Sequence, residues 1–355
     1  MPLVEGPGPI RSICLLYGAI ALGLAACTAS TDAETGFDSG ASGVWAVTHA
    51  RQKVFVINYD PVLGNGRPLT ADKHWNPSRR LAESYATALY FASGRGVAYD
   101  IIGWHDINAF PPQIGPSFSE TSYEACLAEG ESCYGTKHAD YQKMIQEFDL
   151  CRAAAEHNVD EVWWFGGPGF GFAESRMVGN GAFYVNSEPL ELPDTLFHQW
   201  GCERPFIIMG FNYERTEGEM LHNFGHRVDS VLRHHIDLVT PGFDIVAARR
   251  FMTPWQNSVA GCGDTHHPPN LKSTDPEYLY DLNRDVYSDC ESIGPVPDPA
   301  RPLSQVNCFS WGCSETGYHT WRFDKLPRVA ASNWWQHILV NATWAEGSAS
   351  IRPPM

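Results

Sequence analysis

An α/β fold, with a largely parallel or mixed sheet and flanking helices, is what the order of apolar patterns in this chain predicts. Three observations carry that expectation. Four short, nearly continuous apolar runs have the length of strands buried on both faces. Segments with apolar residues at helical spacing lie between them. The last third loses both periods and becomes rich in Pro, Cys and Trp, which predicts an irregular, disulfide-rich cap.

The first run, VFVINYD (54–60), is stopped by Pro61, which has no amide hydrogen to give a ladder. LAESYATALYFASG (81–94) follows at helical spacing and ends on Ser93-Gly94, a helix stop. VAYDIIGW (97–104) reads as the next strand. QKMIQEFDLCRAAAEH (142–157) then places Ile145, Phe148, Cys151 and Ala155 on one helical face. EVWWFGG (161–167) and FIIMGFNYER (206–215) complete the strands, and a helix opening with GEMLHNFGH at 218 runs to about 235. The α/β core therefore spans 44–239 and the cap 240–355.

Residues 13–26 form a short apolar segment ending in small residues, with Arg11 before it and a polar stretch after it. That is the layout of a signal peptide over 1–26, followed by a flexible tether over 27–43. Leu24-Ala25-Ala26-Cys27 resembles a bacterial lipobox, which implies a lipid on Cys27. Thr28 follows and not Asp, so the anchor points to the outer membrane in a two-membrane bacterium. The alternative is plain secretion. Of ten cysteines, Cys14 falls in the signal and Cys27 at the lipid site. The remaining eight, in an exported chain, predict up to four disulfides. Spacing favours Cys126 with Cys133 and Cys308 with Cys313. The formal net charge of −16 opposes a nucleic-acid partner.

HNFGH (222–226) carries the chemistry. An advance of about 100° per residue puts Met220, Leu221, Phe224, Val228, Val231 and Leu232 on one face. Glu219, His222 and His226 share the opposite one. Two histidines four apart can reach one metal ion, because neighbouring turns bring their side chains together. Glu219 and His226 are about 10 Å apart along the axis and cannot share that ion. A third ligand must come from elsewhere. GCGDTHHPPN (261–270) offers His266 and His267 on a proline-stiffened segment, with His267 favoured, and Glu174 is the carboxylate alternative. Three protein ligands and a water make a catalytic zinc site, with Glu219 or Glu174 as proton carrier.

The stretch from strand 206–213 through this helix resembles the active-site region of zincin metallopeptidases, matching at His222, Gly225 and His226. That resemblance implies zinc and peptide hydrolysis. It departs where Asn223 replaces the usual glutamate base. Separately, EVWWFGGPGFGFAES, FIIMGFNYERTEGEMLHNFGHR, HHPPN and NWW together resemble uncharacterised secreted bacterial proteins, which implies no activity.

Asp60, His105, Glu174 and Glu214 fall at or after the ends of predicted strands, the edge where parallel α/β sheets build sites. Glu174 and Glu214 could cleave a glycan without metal. A surface binding protein that keeps the cleft but no chemistry is the third reading. The Trp163-Trp164 pair reads as core packing, and Arg215 and Arg227 as structural ion-pair partners.

Overall fold

The apolar runs pair side by side. The computed structural model describes residues 48–130, 138–190, 202–255, 259–294, 300, 302–328 and 333–346. The segments expected to be signal peptide and tether, with Cys27, lie outside the described residues. The main sheet holds β1 (Thr48–Tyr59), β2 (Val97–Ile107), β3 (Glu161–Gly166), β4 (Ser175–Val178) and β5 (Phe206–Asn212), in the order β2-β1-β3-β5-β4. β2, β1, β3 and β5 run parallel. β4 runs antiparallel to β5. A second sheet joins β6 (Val259–Ala260), β7 (Val286–Ser288) and β8 (Ser304–Val306). The last strand, β9 (Thr343–Glu346), returns to pair antiparallel with the start of β1.

Ten α-helices and one 3-10 helix (Cys308–Trp311) appear among the described residues. The α-helices are α1 (Leu69–Lys73), α2 (Ser78–Ala92), α3 (Glu120–Ala128), α4 (Tyr141–Glu147), α5 (Leu150–His157), α6 (Glu217–Asp237), α7 (Ile245–Phe251), α8 (Cys290–Ile293), α9 (Glu315–Asp324) and α10 (Trp335–Ile338). None of the described helices is long and apolar enough to cross a membrane.

The fold class matches the sequence expectation, and two details depart from it. The helix expected over 142–157 is two helices, because Asp149 adopts a left-handed backbone at φ 49° that ends α4 before α5 begins. The segment after 240 also does more than cap the sheet. Besides β9, it supplies Trp335 and Ile338 to the same core as α2 and α6, and Trp335 stacks on Phe224 at 5.9 Å. Residues 45–355 accordingly form one unit.

Every residue of β3 is buried, as expected of a strand covered on both faces. Trp163 and Trp164 are fully enclosed, which confirms them as core. Disulfides join Cys151 to Cys202, Cys262 to Cys290, and Cys308 to Cys313. Cys126 is also disulfide-bonded, while its expected partner Cys133 lies outside the described residues.

Helix α6 carries the candidate site, and it is enclosed on more sides than its pattern suggests. Leu221, Phe224, Val228 and Val231 face the core as expected. His222, Asn223, Arg227 and Asp229 are buried too, under the 262–267 loop and α9. Gly225 permits that close cover: a Cβ there would stand 2.9 Å from Thr265 Oγ1.

Candidate metal centre

His222, His226 and His266 bring one ring nitrogen each to within 4.8 Å of one another. The hub is His226 Nε2, 3.1 Å from His222 Nε2, 3.0 Å from His266 Nε2 and 3.4 Å from Glu174 Oε2. A neutral imidazole nitrogen offers either one hydrogen or one lone pair, so hydrogen bonding cannot account for both imidazole approaches. The spacing suits an ion instead. Ligands at about 2.0–2.1 Å from a tetrahedral centre lie about 3.3–3.4 Å apart.

The third histidine of this group is His266, where the sequence favours its neighbour His267. The loop's anchors explain the choice. Asp229, one turn beyond His226 on α6, accepts from Thr265 N at 3.1 Å and Thr265 Oγ1 at 2.7 Å. Arg322 on α9 pairs with the other Asp229 oxygen and donates to Gly263 O at 3.1 Å. Tyr318 donates to Asp264 O at 2.7 Å, and the Cys262–Cys290 disulfide closes the base of the loop. These contacts turn His266 inward. His267 stays outside that group, its Nδ1 held 3.0 Å from Asp264 Oδ1.

A carboxylate orients His266. His266 Nδ1 lies 3.2 Å from Glu277 Oε2, an arrangement that leaves Nε2 free to coordinate. Tyr278 sits at the mouth, its hydroxyl 3.3 Å from His266 Nε2 and its backbone in the left-handed region at φ 65°, rare for a bulky residue.

Burial makes these imidazoles poor bases. His222 is pushed down to about 3, by burial first and then by His226 and His266. His226 is pushed down to about 4, again by burial and then by His266. Both are therefore neutral, the form that binds metal, well below neutral pH.

The three carboxylates singled out in the sequence meet in one cavity. Glu174, Glu214 and Glu219 line a space of about 290 Å³ together with Arg215 and Asn223. His226, His266 and His267 line a second cavity, of about 430 Å³. Glu174 is half-buried, accepts from Asn186 Nδ2 at 2.6 Å, and is raised to about 7 by burial and the Glu219 charge. Glu219 is raised by burial, with Arg215 opposing the shift. Asp60 and His105 stay apart from this centre: Asp60 accepts from Thr70, and His105 packs on Phe55 at 4.8 Å.

Asn223, at the position of the missing base, is a structural residue. It is buried, and its Nδ2 donates to Gly210 O on β5 at 2.8 Å. Gly210 N in turn donates to Glu174 O at 3.1 Å, so Asn223 ties the helix to the strand beside Glu174. Asn223→Ala should cost about 1–3 kcal/mol, because Gly210 O is left buried without its donor. Urea unfolding measures this, and an unchanged midpoint would contradict the latch.

A second donor set adjoins the first. The ligand atoms of His222, Glu315 and His319 also lie within 4.8 Å of one another. Glu315 and His319 are four apart on α9, the same spacing as His222 and His226, so periodicity alone could have found them. Glu277 and Tyr278 carry no comparable signal. No protein-family model, curated protein or solved structure matches this chain.

Proposed function

We propose that the chain is a zinc-dependent hydrolase acting on peptide bonds, with His222, His226 and His266 as ligands and Glu174 as general base. One observation carries this reading: three imidazole nitrogens cluster together, and one of them, His226 Nε2, lies 3.4 Å from the Glu174 carboxylate, which burial raises to about 7. Three histidines with an open fourth position suit catalytic zinc. A zinc ion held by these histidines would supply a water acidified to a pKa of about 7, and Glu174 stands where it can accept that water's proton. The rate should rise as Glu174 deprotonates and level off at or below about pH 7, since a dication beside it favours the charged form.

Glu174→Gln should lower kcat about 10²–10⁴-fold with bound zinc unchanged. A fluorogenic peptide mixture assayed beside elemental analysis tests both halves. Full turnover without Glu174 would remove it from the mechanism. Glycan cleavage is the second reading, supported by Glu174 and Glu214 lining the same cavity. It is distinguished by activity that survives a chelator.

The disulfides support an oxidising compartment. We place the chain at the cell envelope, anchored by lipid on Cys27. Labelled fatty acid should enter the wild type and not Cys27→Ser. Label in both, or in neither, would refute the anchor.

A further inference from the structure

His222 has two working edges. Its Nε2 faces His226 at 3.1 Å, and its Nδ1 lies 3.7 Å from Glu315 Oε1. That second gap is too long for a hydrogen bond, in contrast to the 3.2 Å between His266 Nδ1 and Glu277. It is close to the separation of two ligands on one ion. His222 Nδ1 has no hydrogen-bond partner.

His319 completes the same group. Its side chain has no exposed surface, and neither of its ring nitrogens has a hydrogen-bond partner. Buried imidazoles are ordinarily satisfied at one or both nitrogens. An orphaned, fully enclosed imidazole beside an unpartnered Nδ1 and a carboxylate calls for something that accepts lone pairs.

The charge balance of the cleft points the same way. Glu315 is raised by burial and then by Glu219. Glu219 is raised by burial and by Glu214, and Glu174 by burial and by Glu219. Arg215 is the cation that opposes these shifts at Glu219 and Glu315. Mutually repelling carboxylates held out of water are stabilised by bound cations.

We propose that His222 bridges two metal ions, one held by His222 Nε2, His226 and His266, the other by His222 Nδ1, Glu315 and His319. The ring coordinates as an imidazolate, and the proton displaced from it on loading passes to solvent. This rests on the single-ion reading above and extends it. The first ion keeps the open position for water. The second is enclosed by α9 and fixes the orientation of the bridging ring.

Elemental analysis of the full chain, loaded with zinc and freed of excess metal, tests the count. Two ions per chain are expected, falling to one in Glu315→Gln and in His319→Gln, with folding checked by circular dichroism. One ion in the wild type, unchanged in both variants, overturns the bridge and leaves the single-ion centre standing. No bound zinc overturns both. Copper(II) loading needs no variant. A bridged pair couples magnetically, so the spin count should fall well below two per chain, whereas two full, uncoupled spins would also refute the bridge.

Discussion

Replacing His226 by alanine should lower zinc affinity by more than about 100-fold, since losing even an outer-shell partner of a ligand costs about 10–100-fold. His226 carries the hub atom, 3.0–3.1 Å from both other ring nitrogens. Its loss leaves His222 and His266 without the ligand between them. His266→Ala should do the same, while His267→Ala should leave zinc in place, because Asp264 holds that ring away. Titration against a competing chelator reads all three. Zinc lost from His267→Ala and kept by His266→Ala would reverse the assignment. Acid should release the ion later than an ordinary histidine site would. With His222 near 3 and His226 near 4, protons displace metal from these two rings only as pH falls toward about 4. The unshifted value would place that loss at about pH 6.5.

Arg227→Met should destabilise the fold by about 3–5 kcal/mol, the usual result of leaving one buried charge without its partner. Arg227 and Glu161 are both fully enclosed and lie 2.6 Å apart. Glu161 also accepts from Trp163 Nε1 at 2.8 Å, and Arg227 donates to Ile338 O at 3.0 Å. The pair therefore joins α6 to β3 and to α10 in the core. Glu161→Gln should cost a similar amount for the same reason. Replacing both residues by apolar ones of like volume should recover much of the loss. Urea midpoints of the two single variants and the double variant measure this. A single variant as stable as the wild type would show that water reaches the remaining charge.

Local patterns in the chain carried much of the fold. VFVINYD and EVWWFGG are too uniformly apolar for a half-exposed strand, and both lie inside the parallel sheet. Helical spacing alone put His222 and His226 on one face of α6, because two positions four apart must neighbour each other on any α-helix. The 261–270 segment was legible as the source of a third histidine for the same local reason, two adjacent histidines beside rigid prolines.

Which of those two histidines turns inward was decided elsewhere. Asp229, Arg322 and Tyr318 set the loop's path, and they come from two helices far away in sequence. Gly225 matters because Thr265 approaches it, and Asn223 because Gly210 O lies within reach. Arg227 and Asp229 look like surface charges on a helical wheel until α9, α10 and the loop close over them. Glu174 meets the histidine cluster because the residue just before β4 is carried to within 3.4 Å of His226 on α6. Periodicity reports only neighbours along one element. Ligand sets, buried charges and shifted acidities depend on contacts between elements, and those exist only once the chain has packed.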